Sequence, residues 1–156
     1  MQPGDRLICA FVERTDVRGT FRTWPLHVTI LPWLRLESSS DTIASGLVKA
    51  LQPVNPFEVV MDGQAVFGPR RNRPAALVRL PTPFADIERR ARNYFHKKRA
   101  WLVDETTKVR REFLPHVTAQ GDKQMQPGNT FMCDRVYIVE QKGDFKQVAG
   151  EIILGT

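Results

Sequence analysis

The chain has 156 residues, with 23 Lys and Arg against 17 Asp and Glu, a formal charge of +6. With 42% apolar and 26% charged residues it reads as globular, which excludes a disordered tail, a fibre and a barrel enzyme of about 250 residues. The longest apolar run, Leu7 to Val12, is too short for a membrane span or a signal-peptide core, and two cysteines, Cys9 and Cys133, make no disulfide framework. The expectation is one soluble, cytoplasmic, monomeric domain over residues 1–156, with no membrane partner.

Residues 6–13, apolar between Gly4 and the polar loop 14–23, read as a buried strand with Cys9 as a small core residue. Residues 27–34 read as a second strand after Pro25, with Pro32 at an edge or bulge. Ser38, Ser39, Ser40 and Asp41 offer N-caps for a helix near 41–52, closed by Pro53. Residues 57–67 read as strand broken around Asp62-Gly63, and 75–80 as another, separated by the basic loop Gly68-Pro69-Arg70-Arg71-Asn72-Arg73-Pro74. Thr82 as N-cap and Pro83 at the first helical position open a second helix. Its Phe84, Ile87, Ala91, Tyr94 and Phe95 follow the helical period and face the core. Further strands are expected near 113–120, 132–140 and 145–154. This order predicts an α+β fold rather than alternating βαβ units. Trp33 and Trp101 are expected in the core, whereas Trp24, in a polar loop before Pro25, is the aromatic best placed to stack on a base.

The charge is uneven. Between Arg70 and Arg111 lie 13 of the 23 basic residues and only four acids, a local charge of +9 on a body of −3. Such a segment suits a polyanion, although a solvated helix face would look the same.

The chain has three histidines, and two of them are followed by Val-Thr: Leu26-His27-Val28-Thr29 and Pro115-His116-Val117-Thr118. Composition alone would produce that coincidence with a chance of the order of 10⁻⁴. Side chains alternate on a strand, so each run presents an imidazole beside a hydroxyl on one face and an aliphatic residue on the other. If the strands are paired or quasi-symmetric, two histidines and two threonines converge. Two imidazoles can act as general base and general acid, and hydroxyls can donate to phosphoryl oxygens, which suits in-line displacement at a phosphodiester without a metal. A zinc site would need a third ligand, and His96 lies apart on the basic helix end. No serine or cysteine nucleophile motif is present.

Two His-x-Thr strands half a chain apart resemble the two-histidine phosphoesterase superfamily, and most nearly its LigT-like group of 2′,5′ RNA ligases and cyclic phosphodiesterases. The more specific match is Arg111-Glu112-Phe113-Leu114-Pro115-His116-Val117-Thr118; Phe67-Gly68-Pro69-Arg70 resembles the group's central loop. The resemblance implies a bilobal α+β fold: two antiparallel β-sheets with outer helices, related by a pseudo-twofold, with the active cleft between the lobes. It implies His27 and His116 as the acid/base pair, and Thr29 and Thr118 as phosphate-binding residues. Arg111, Arg70 and Arg71 are further candidates for phosphate contact. The implied reaction is hydrolysis of RNA 2′,3′-cyclic phosphate ends or 2′,5′ linkages, or the reverse ligation, with no metal and no cofactor. The implied partner is RNA or an oligonucleotide with a phosphate end. Which histidine is the acid stays open, as do a non-catalytic RNA-binding module and the same chemistry on a small nucleotide, such as an ADP-ribose cyclic phosphate or a 2′,5′-oligoadenylate.

Overall fold

A computed structural model describes residues 1–68, 70–103 and 112–155. The apolar run after Gly4 forms β1 (Arg6–Phe11), buried at every position. A strand with no exposed face has to lie inside a sheet that is covered on both sides. The remaining elements are β2 (Thr20–Phe21), β3 (His27–Arg35), α1 (Ser40–Leu51), β4 (Phe57–Phe67), β5 (Arg73–Val78), α2 (Phe84–Lys97), β6 (Trp101–Leu102), β7 (His116–Thr118), β8 (Thr130–Cys133), β9 (Arg135–Gln141) and β10 (Lys146–Ile153). The strands form one antiparallel ten-stranded sheet in the order β2-β10-β9-β1-β3-β7-β5-β4-β8, with β6 pairing β3 off this path. The fold is thus α+β. Its two antiparallel halves are joined edge to edge, β3 against β7, into a continuous sheet.

Both helices pack on one face. From the sheet come Ile8, Ala10, Val28, Ile30, Ala76 and Val117; from the helices come Ile43, Leu47, Leu51, Phe84, Ile87 and Phe95. Each such side chain contributes about 1.5–3 kcal/mol on burial. The other face of β1 carries a second, smaller cluster of Leu7, Cys9 and Phe11 with Tyr137, Val139 and Val148, against which Phe21, Trp24 and Trp33 pack. Neither helix is long and apolar enough to cross a membrane.

Helix α1 starts as its sequence implies: the Ser39 hydroxyl accepts from the Thr42 N–H at 3.1 Å, with Asp41 in the first turn and Lys49 in the last, both complementing the helix dipole. Helix α2 begins one residue later than expected, at Phe84 with Pro83 as N-cap. The Thr82 hydroxyl accepts only a long bond, 3.4 Å, from the Phe84 N–H.

Three expectations are corrected. The strand expected over 132–140 is two strands meeting at Asp134. The first, β8, pairs β4, while β9 pairs β1 in the other half. The Asp134 carbonyl accepts from the Leu154 N–H at the crossing. Strand β4 is not broken at Asp62-Gly63 but bulged, its register against β5 shifting between Met61 and Gln64, with Gly63 at φ +98°. Trp101 is not a core residue: it is 51% exposed.

Candidate active site

His27 opens β3, and His116, Val117 and Thr118 are the whole of β7. The two strands pair antiparallel with Val28 opposite Val117. Both valines are buried against the helices. Directly opposed residues in an antiparallel pair share a face, and neighbours along a strand alternate. That one register therefore sets His27 across from Thr118 and Thr29 across from His116, with all four, each half-buried, on the face away from the helices. Diagonal positions on one sheet face lie about 7–8 Å apart, so the two imidazoles can flank a single phosphoryl group.

Each imidazole is held in the same way. His27 Nδ1 is 2.8 Å from the Pro25 carbonyl oxygen and His116 Nδ1 is 2.8 Å from that of Leu114. A carbonyl only accepts, so Nδ1 carries the hydrogen in both rings, and Nε2 is left to take or give a proton. An aromatic ring fixes each imidazole plane. Trp24 stacks on His27 at 4.3 Å and 29°, and Phe67 stacks on His116 at 4.1 Å and 17°.

The surroundings differ. Phe11, opposite His27 in the β1–β3 register, meets it edge-on at 6.3 Å. Trp24 packs against Phe21 and Trp33, and Lys146 Nζ lies 5.8 Å from the Trp24 ring centroid. Burial accordingly pushes the His27 pKa below its ordinary 6.5; the Pro25 carbonyl opposes this, and the neighbouring His116 charge adds to it. Phe67, by contrast, ends β4 and leads through Gly68, at φ +96°, into the basic turn.

Arg70, Arg71 and Arg73 are exposed on that turn. Arg73 pairs with Phe67 and alternates with Ala75, which lies opposite Thr118, so Arg73 belongs to the histidine face. Arg111 lies outside the described residues. Cys9 sits opposite Thr29, but it is fully buried and burial pushes its thiol pKa upward, so it is an inert core group. Among the described residues, no three His, Cys, Asp or Glu side chains gather where they could hold a metal. A cavity of about 350 Å³ is lined by Gln64, Ala76, Ala119 and Met125 among others. Ala76 pairs with Val117, which puts the cavity on the far face from the histidines.

Sequence reasoning left out the role of Phe67 and the two carbonyl anchors. The signal for the anchors was present, since Pro25-Leu26-His27 and Leu114-Pro115-His116 both place a carbonyl two residues before the ring.

A family model described as the 2′-5′ RNA ligase superfamily matches residues 8–144. No curated protein matches the chain in sequence. Among solved structures, Escherichia coli LigT complexed with 3′-AMP is similar at a TM-score of 0.59 and 12% identity, over 99% of this chain and 100% of that one. LigT complexed with phosphate gives 0.58 and 12%, covering 100% of both chains. The protein TT0787 of Thermus thermophilus gives 0.58 and 15%, over 97% of this chain and 98% of that one. At these identities the likeness is one of fold.

Proposed function

The chain belongs to the 2′-5′ RNA ligase superfamily, a family of phosphodiesterase- and ligase-type function, and from that premise we propose that it is a metal-independent phosphodiesterase acting on 2′,3′-cyclic phosphate ends of RNA. The observation that carries this reading is the Val28–Val117 register, which sets two imidazoles and two hydroxyls on one face.

His27, buried and biased toward its neutral form, is the general base: its Nε2 takes a proton from the attacking water. His116, on the other side of the phosphorus, gives the proton on its Nε2 to the departing ribose oxygen. The new P–O bond forms in line with the one that breaks, leaving a phosphate monoester and a free ribose hydroxyl. Thr29 and Thr118 donate to the non-bridging oxygens, where charge builds up. Ligation is the same path reversed, with the two histidines exchanging roles and a ribose hydroxyl in place of water.

The test is turnover of a 2′,3′-cyclic phosphate in EDTA by the wild type and by His27→Ala and His116→Ala. Each substitution should cost about 10²–10⁴-fold in kcat while the circular dichroism spectrum is retained. Undiminished turnover in either variant, or wild-type activity that EDTA abolishes and a divalent ion restores, rejects the mechanism.

A further inference from the structure

All three tryptophans of the chain lie on the histidine face of the sheet. Trp24 stacks on His27. Trp33 packs with it in the smaller cluster. Trp101, in β6, is opposite Arg35, while its neighbour Leu102 is opposite the buried, helix-facing Leu34. The larger core under the helices contains no tryptophan among the described residues. Burial decreases along this row: Trp24 and Trp33 are half-buried, and Trp101 is 51% exposed.

The position of Trp101 follows from the topology. Strand β7 stops at His116, and β6 is the partner of β3 farther along, at Leu34 and Arg35. From Thr29 to Arg35 is six residues of β3, about 20 Å at the strand rise. Immediately before Trp101, His96, Lys97, Lys98 and Arg99 are all exposed. A core tryptophan would bury its ring. A ring left in water beside a run of cations is instead the arrangement with which proteins hold single-stranded nucleic acid.

We propose that Trp101 is a nucleobase-stacking platform for a single-stranded oligonucleotide whose phosphate end lies between His27 and His116. The strand runs along β3 past Trp33, and Trp101 receives a base about four nucleotides from the reacting phosphate, at the low end of single-strand site sizes. This rests on the phosphodiesterase reading and narrows its substrate to a polymer.

The experiment compares a 2′,3′-cyclic mononucleotide with cyclic-phosphate-ended RNAs from dinucleotide to hexanucleotide. For the wild type, KM should fall as the chain lengthens and level off near the tetranucleotide. Trp101→Ala should raise KM for the longer RNAs about 5- to 150-fold, with kcat and mononucleotide turnover unchanged, and Trp101→Phe should retain most of the gain. The same length dependence in Trp101→Ala as in the wild type, or none in the wild type, overturns the proposal. A second arm needs no turnover: a hexanucleotide with a 3′-phosphate should quench tryptophan fluorescence more than a mononucleotide does, and Trp101→Phe should lose the difference. Equal quenching in the two proteins also overturns it. If the wild type hydrolyses no cyclic phosphate, the phosphodiesterase reading falls, and the fluorescence arm still decides whether Trp101 binds a base.

Discussion

His27 and His116 share a tetrapeptide, a carbonyl anchor and an aromatic stack, yet burial separates them. Because the His27 pKa is depressed in the folded chain, the unfolded chain binds more protons below about pH 6.5, and stability falls as pH drops through that value. His27→Gln removes this contribution. The stability difference between the wild type and the variant, measured by urea unfolding at a series of pH values, should therefore shift in favour of the variant below about pH 6.5. Parallel curves would show that His27 is not held neutral. At this scale much was legible: alternation alone put each histidine beside a threonine and a valine beneath. The aromatic clamps were not legible, because Phe67 reaches His116 from a different strand and no spacing in the chain encodes that contact.

Between elements, the helices meet where α1 lacks a side chain. A Cβ on Gly46 would overlap the Tyr94 ring of α2, so the glycine is required by close packing rather than by its backbone angles. Gly46→Ala gains about 1 kcal/mol of helix propensity, but the overlap costs about 1–3 kcal/mol. The net expectation is a loss of about 1 kcal/mol in urea unfolding, and a gain when the same change is made on a Tyr94→Leu background. A stabilised single variant would refute the packing argument. The elements that sequence reasoning misplaced share a physical cause. Cys133-Asp134-Arg135 carries no turn residue, so nothing local separates β8 from β9; their separation comes from pairing with β4 and β1. Strand β6 is two residues long and exists only because β3 outruns β7. Its tryptophan could not be told from a core residue by local pattern.

Across the whole molecule, the basic segment resolves into two kinds of arginine. Arg89 and Arg90 pair with Asp86, Arg92 with Glu88 and Arg79 with Asp62, surface pairs worth about 0.2–1 kcal/mol at most. Arg70, Arg71 and Arg73 form no ion pair among the described residues and stand on the turn that carries Phe67. Affinity for an oligonucleotide should therefore fall with salt, and Arg70→Ala with Arg71→Ala should flatten the slope of log affinity against log salt by about 1. An unchanged slope would place the phosphate contacts elsewhere. The pairing of Val28 with Val117 has a consequence for selectivity. About that pair the two histidines and two threonines obey an approximate dyad. A phosphodiester has a dyad of its own, which exchanges its ester oxygens along with its non-bridging ones. Four groups with that symmetry cannot tell one ester oxygen from the other. What can is the handedness of the walls, three tryptophans on one flank and an arginine turn on the other. The choice of product isomer is thus made by how the nucleoside is seated, outside the groups that move the protons.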